Sequence, residues 1–400
     1  MKNKINSAIG ICFNEYFKNN NSLIPEKWMS FIEFLEALEL PNGDFYYPHT
    51  VFIEITSQCN LRCKHCMYCE DEDFFNTDND LSYNEMINLF EFLIEEINII
   101  NFVIIGREPL LNKNIFKIIE YLKNKSVYLK LQTNATLIDD KIISKLKDLL
   151  NPMTDCVQIS IDGADEKMHD SIRGVNTYKK TIDAIKKLSK NNINVILAYT
   201  INSINVTNLE NLYELCKNLK IKQLVLGRFE SYKAEQDYLL PDKEEVFLNL
   251  AELTRKNIHK EFLIRPTILK MYDFLDFSFG KELLNNYIRI SDVPKTPSLK
   301  CHKNNAITIF ANGDVYLCPS VATRTKEFCL GNIRENNFYD IWMNKSNNLF
   351  FQKRCYEKSV CVNCEYLNIC NSGCPANAFF KYGTINAPDM FCNYANCIKK

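Results

Sequence analysis

Four thiols crowd the stretch CNLRCKHCMYC, Cys59 to Cys69, directly after the apolar run VFIEITS at 51–57. Cys59, Cys63 and Cys66 have the spacing C-x3-C-x2-C. Thiolates so spaced can hold three corners of an iron–sulfur cubane and leave its fourth iron open to a small molecule. Zinc is the other reading; it requires a fourth ligand, which Cys69 or His65 would supply. A second array follows near the other end. Cys301 comes first, then Gly313-x4-Cys318, then Cys361-x2-Cys364-x5-Cys370-x3-Cys374, then Cys392. The chain carries 17 cysteines, an odd number, in 400 residues. A disulfide scaffold would be shorter and would carry an export signal. The first residues, MKNKINSAIGICFNEYF, break at Asn14 and Glu15 without a small-residue cleavage site, so no signal peptide is read there. Thiols at fixed short spacings in a reducing cytoplasm point to metal ligation.

These thiols need elements to position them. From residue 51 to 228 apolar runs alternate with helical patterns. Strands are expected at 51–57, 102–106, 127–134, 155–163, 194–202 and 222–228, and helices at 81–98, 112–124, 139–150, 176–190 and 206–219. Such alternation makes parallel strands with right-handed crossovers, as an open sheet or a partial barrel. Residues 1–48 read as a helical prelude, 49–230 as the core, and 231–296 as a charged helical bridge without strands. Residues 297–400 lose periodicity, as in a small lobe held by metal clusters in place of an apolar core. Formal charge is −1 and pI about 6.6, with no basic stripe for a nucleic acid. No apolar run reaches the ~20 residues of a membrane span.

The Cys59–Cys66 spacing after a first strand resembles the radical S-adenosylmethionine (radical SAM) superfamily. Gly106-Arg107-Glu108-Pro109, ending the second strand, resembles that family's G-G-E-P turn, with Arg107 in place of the second glycine. Without a glycine the turn loses positive-φ freedom, so either its shape differs or Arg107 points at the substrate. Gln132-Thr133-Asn134 resembles the T-N-G segment, with Ala135 at the glycine position. Ser160-Ile161-Asp162-Gly163 resembles S-x-D-G, and His169-Asp170-Ser171-Ile172-Arg173-Gly174 resembles H-D-x-x-R-G. The resemblance implies a partial (β/α)6 barrel. It implies that Cys59, Cys63 and Cys66 bind a 4Fe-4S cluster, and that Gly106, Glu108, Gln132, Asn134, Ser160 and Arg173 contact S-adenosylmethionine. Reductive cleavage of that cofactor would give a 5′-deoxyadenosyl radical, which abstracts a hydrogen atom from substrate. His169 is expected to be a structural surface histidine.

The second array resembles the SPASM domain, which ends many radical SAM enzymes acting on peptides and carries two auxiliary iron–sulfur clusters, here expected as 4Fe-4S. The resemblance assigns Cys361, Cys364, Cys370 and Cys392 to one cluster, and Cys301, Cys318 and Cys374 to the other. No cysteine lies just upstream of Cys301 in SDVPKTPSLK (291–300). The fourth position of that cluster is therefore open, or is filled by Cys329, Cys355 or Cys397.

The resemblance implies a maturase of ribosomally synthesised peptides, forming a thioether or other cross-link, or oxidising or epimerising a residue. Its partners would be a precursor peptide, a flavodoxin- or ferredoxin-type electron donor and a separate leader-binding protein, because residues 1–48 are too short for a leader-binding domain. Formylglycine formation in sulfatases is a second reading. It expects an Asp directly after the G-x4-C cysteine, where this chain has Pro319. A small-molecule SPASM dehydrogenase is a third. A non-enzymatic metal-bound module predicts no cleavage of S-adenosylmethionine. The sequence singles out no catalytic base.

Overall fold

The computed structural model describes residues 48, 50–68, 76–231, 234–257, 261–266, 306–322, 325–351, 354–355, 359–364, 367, 372–390 and 392. The helical prelude, much of the bridge, and Cys69, Cys301, Cys370 and Cys397 lie outside the described residues.

Strands β1 (Thr50–Glu54), β2 (Asn101–Ile105), β3 (Tyr128–Thr133), β4 (Cys156–Ser160), β5 (Val195–Ile201) and β6 (Gln223–Arg228) pair in parallel, in sequence order. Helices α1 (Tyr83–Glu95), α2 (Ile115–Asn124), α3 (Asp140–Leu149), α4 (Glu166–Arg173), α5 (Thr177–Lys190) and α6 (Leu209–Asn218) lie between them in the chain. The fold is the expected partial (β/α)6 barrel. Strand alternation divides its sheet. Val51, Ile53, Phe102, Ile104, Leu129 and Leu131 join the apolar core that also holds helix residues such as Phe90 and Leu122. The alternate positions, Glu54, Lys130, Gln132 and Ser160 among them, lie on the other face.

Two features depart from the sequence reading. The bridge contains a strand, β7 (Leu263–Pro266), parallel to β6, after helix α7 (Lys243–Lys256). Four residues are too few to show a period, so no strand signal is visible there. The C-terminal lobe is also not without an apolar core. Phe310, Tyr316, Leu317, Val321, Phe328, Phe350, Ala376 and Ile385 form one.

That lobe is stitched to the barrel. Its strand β8 (Ala306–Ile309) pairs in parallel with β1, so the sheet runs on through β8 to the hairpin β9 (Asp314–Tyr316) and β10 (Gly331–Asn332). Arg334 ties the lobe to α1 through Glu85 at 2.6 Å and to the carbonyl of Asn79 at 2.9 Å. Helices α8 (Phe338–Met343) and α9 (Pro375–Tyr382) belong to the same lobe, as does a single helical turn at Pro319–Ala322.

Candidate active site

The cysteine loop leaves β1 and crosses the carboxyl ends of the parallel strands, where such sheets place their chemistry. Its start is pinned by Asp80, which accepts from the Ser57 hydroxyl at 2.8 Å and the Ser57 amide at 3.0 Å. Arg107 N–H donates to Thr56 O at 3.3 Å and Glu108 N–H to Gln58 O at 2.8 Å, so the β2 turn lies against the loop. Gly106 permits this contact: a Cβ there would press to 3.2 Å from Thr56 O. Further on, Lys64 N–H donates to Ile172 O at 2.9 Å, and the Cys63 thiol lies 3.9 Å from Arg173 O. The loop is thus held between the ends of β2 and α4.

The three thiols share this loop, and Cys66 N–H closes a turn onto Cys63 O at 3.0 Å. Amides already serve their sulfurs: Leu61 N–H to Cys59 at 3.4 Å, and Tyr68 N–H to Cys66 at 3.4 Å. Burial pushes the Cys63 thiol up to about 12, against the pull of Arg173. Cys63 therefore becomes a thiolate only where a cation binds it. Amide donors on sulfur, a buried guanidinium nearby and desolvated thiols fit an iron–sulfur cluster. As placed, no three Cys, His, Asp or Glu side chains among the described residues are grouped closely enough to hold a metal ion. His65 directs Nε2 to Asp162 Oδ2 at 3.4 Å.

The remaining motif residues gather around the loop. Glu108 is fully buried. It accepts from Thr133 Oγ1 at 2.7 Å, Asn134 N–H at 2.8 Å and Leu110 N–H at 3.1 Å, bracketing the ends of β2 and β3. Burial raises its carboxyl, and those donors pull it back. Asn134 donates to Asn60 Oδ1 at 2.9 Å, tying β3 to the cysteine loop. Ala135 takes φ 63°, the left-handed region that the usual glycine would enter freely. Gln132 and Ser160 are half-buried at the ends of β3 and β4.

Asp162 and Arg173 form the charged centre. Arg173 Nε lies 2.5 Å from Asp162 Oδ2, and the Thr200 amide donates to Oδ1 at 2.9 Å. The glycine after Asp162 is required by α4: a Cβ on Gly163 would come 2.3 Å from His169 N. His169 is buried, not at the surface. Its Nδ1 accepts from Asp162 N–H at 3.3 Å, and burial pushes the imidazole down to about 4.

Two contributors were not legible in the sequence. Gln236, in a 3-10 turn inside the expected bridge, donates from Nε2 to Cys66 O at 3.0 Å and Lys64 O at 3.3 Å. No spacing rule marks a lone Gln. Glu54 of β1 is fully buried, accepts from Ala311 N–H at 3.2 Å, and lies 3.8 Å from Arg107 Nε. Arg107 needs no positive φ; its guanidinium stacks 4.9 Å from the Tyr68 ring.

Burial pushes Glu54 up to about 7 despite Arg107 and the Ala311 amide. Its contribution to stability is therefore full below its unfolded value near 4.3 and is lost as pH rises through about 7. Glu54→Gln keeps an acceptor for Ala311 and removes the titration. The variant should gain on wild type by about 3 kcal/mol between pH 4.5 and 8. Urea midpoints across that range check this; parallel curves would show that Glu54 does not titrate with unfolding.

Residues 53–218 match the profile of the Radical SAM superfamily, and residues 301–365 match the SPASM iron-sulfur cluster-binding domain. Among curated proteins the chain is similar to Fe-coproporphyrin III synthase of Methanosarcina barkeri, 26% identical, covering 84% of this chain and 86% of that protein. It is also similar to mycofactocin maturase MftC of Mycobacterium tuberculosis, 23% identical, covering 85% and 81%. Among solved structures, Streptococcus suis SuiB bound to precursor peptide SuiA has a TM-score of 0.68 at 16% identity, over 93% of this chain and 82% of that one. The strands, the cysteine loop and the second cysteine array agree with these matches: the chain is an enzyme that carries a radical SAM domain over residues 53–218 and a SPASM domain from residue 301, with S-adenosylmethionine, a 4Fe-4S cluster and auxiliary iron–sulfur clusters as its cofactors.

Proposed function

We propose that this enzyme is a maturase that modifies a ribosomally synthesised peptide, by a cross-link such as a thioether, another oxidation, or epimerisation. One observation carries the reading. Tyr68, two residues past Cys66, packs on the same apolar cluster as Cys318 and Cys374. The lobe of the auxiliary cysteines therefore adjoins the loop of the first cluster. That proximity suits a substrate that gives up a second electron after losing a hydrogen atom. The likeness to a maturase, mycofactocin maturase MftC, over 85% of this chain, and to SuiB, solved with a precursor peptide bound, supports a peptide substrate.

In this reading Cys59, Cys63 and Cys66 hold the first cluster, and Gly106, Glu108, Gln132, Asn134, Ser160 and Arg173 line the S-adenosylmethionine site. Cys361, Cys364, Cys370 and Cys392 hold one auxiliary cluster, and Cys301, Cys318 and Cys374 hold the other. When bound, these groups supply reductive cleavage of S-adenosylmethionine and hydrogen-atom abstraction from a substrate carbon. The chain's part is positional. Glu108 and Asn134 lock the ends of β2 and β3 to the loop. The Asp162–Arg173 pair fixes α4, and Gln236 closes the loop from the far side. Residues 49–230 act as the catalytic core and 297–400 as the auxiliary lobe, joined by 231–296. A flavodoxin or ferredoxin in the cytoplasm supplies electrons, and a separate protein presents the leader.

A tetrapyrrole is the second reading. Fe-coproporphyrin III synthase and an AdoMet-dependent heme synthase, both of Methanosarcina barkeri, are each 26% identical to this chain, above the 23% of mycofactocin maturase. The sulfatase reading loses support: Pro319 opens a helical turn where that chemistry expects a carboxylate. Anaerobic co-expression with each short open reading frame flanking the gene, followed by intact mass, decides. A peptide lighter by a pair of hydrogens supports the maturase. Deuterium uptake from deuterated water supports epimerisation. An unchanged peptide together with turnover of an iron porphyrin would replace the proposal with the second reading.

A further inference from the structure

We infer that Cys329 is the fourth thiol of the auxiliary cluster expected on Cys301, Cys318 and Cys374. The inference rests on the reading that this lobe holds two iron–sulfur clusters. Cys329 precedes β10, and the hairpin returns it to the stretch that ends in Cys318: Gly331 pairs with Val315, and Leu330 N–H donates to Val315 O at 2.8 Å. Cys318, Cys329 and Cys374 all pack against one apolar cluster that includes Leu317, Val321, Phe328 and Phe350. Three half-buried thiols on one dry, aromatic wall give a setting in which a metal cluster is shielded from water. Tyr316, 3% exposed, belongs to the same apolar cluster.

Of the other two candidates, Cys397 lies outside the described residues, and Cys355 is exposed, with its amide donating to Asn386 Oδ1 at 2.8 Å. Cys329 Sγ lies 3.3 Å from Gly331 O and 3.7 Å from Val315 O, the contacts of a protonated thiol. On ligation the thiol gives up its proton to solvent, iron takes its place, and the sulfur turns about χ1 between staggered wells. No electron moves in that exchange. The consequence is functional: a cluster with four thiolates has no open iron, so it cannot bind a substrate sulfur directly.

The test uses full-length protein in which Cys59, Cys63 and Cys66 are alanine, so that only the auxiliary clusters remain. After anaerobic reconstitution this background should hold about eight irons per chain. Carbon-13-labelled cyanide is added, and the reduced clusters are read by electron–nuclear double resonance. The expected result is no carbon coupling in the background and a new coupling when Cys329→Ala is added, with Cys355→Ala unchanged. Coupling in the background itself, spectra that Cys329→Ala leaves unchanged, or coupling created by Cys355→Ala would each overturn the assignment. A background holding only about four irons would instead show that the two-cluster reading fails. Should Cys329→Ala lose both clusters, alkylation of the natural sequence decides. Cys329 should resist iodoacetamide in the reconstituted protein and react in the iron-free one; equal labelling in both overturns the proposal.

Discussion

Replacing Cys63 with alanine will abolish 5′-deoxyadenosine formation, by at least about a thousandfold, while the chain stays folded. The argument starts from burial. Cys63 is the most enclosed of the three loop thiols, and burial holds its proton up to about 12. A thiol in that setting is a poor acid and does nothing at neutral pH unless a metal takes the proton's place. Its surroundings would then suit a ligand: Arg173 beside it, and the turn Cys63 O to Cys66 N–H holding the next thiol close. The alanine loses one cluster ligand and little volume. Anaerobic reconstitution followed by iron analysis should find about four irons fewer than wild type. Chromatography for 5′-deoxyadenosine gives the second readout. A variant that keeps its full iron and continues to cleave S-adenosylmethionine would remove Cys63 from the ligand set.

The barrel was legible because its elements repeat a period long enough to see. The run 176–190 becomes α5 over Thr177–Lys190, and 222–228 becomes β6 over Gln223–Arg228. The motif residues were legible as types, and the fold does bring the loop, Glu108, Asn134 and Arg173 to one end of the sheet. Their partners were harder to see, because pairing is a property of the folded chain. Glu108 reads as a ligand contact in a motif; the structure shows that three protein donors already hold it between two strands. His169 reads as a surface residue because α4 has only eight residues, too few for a periodic pattern to name the buried face. Gln236 lies 170 residues from Cys66, whose carbonyl it holds. Glu54 looks like an interruption in an apolar strand until Ala311 and Arg107, from two other segments, close around it.

The seam between barrel and lobe follows the same logic. β8 adds to the open edge of β1, which leaves no backbone donors of β1 exposed on that side. Glu54 then fixes the β8–β9 turn, and Arg334 fixes the β10 turn to α1. A sheet edge, the buried Glu54 carboxyl and the exposed Arg334–Glu85 pair together hold the lobe against the barrel.

Asp162→Asn will destabilise the fold by about 3–5 kcal/mol, a large share of a typical stability. Asp162 is wholly buried, and the Arg173 side chain is 10% exposed. Burial by itself would push the Asp162 carboxyl up. Arg173 first, then His65 and the Thr200 amide, overcome that penalty and hold it below the ordinary carboxylate range. The asparagine keeps an oxygen for Thr200 but presents an amide to the guanidinium. A buried Arg without its carboxylate is the costly half of a broken pair. Cys63 and Cys66 also favour the charge on Arg173 and would mask part of this cost when they are thiolates. Equilibrium urea unfolding of chelator-treated protein is therefore the fair comparison, with wild type treated alike. The acid side provides an independent check. A carboxyl lowered in the native state contributes stability above its unfolded value near 3.9, and that contribution is lost as pH falls through the lower native value. The wild type should lose this stability in acid, and the variant should not. A cost below about 1 kcal/mol, the size of an exposed pair, would mean that Asp162 and Arg173 do not hold α4 to the sheet.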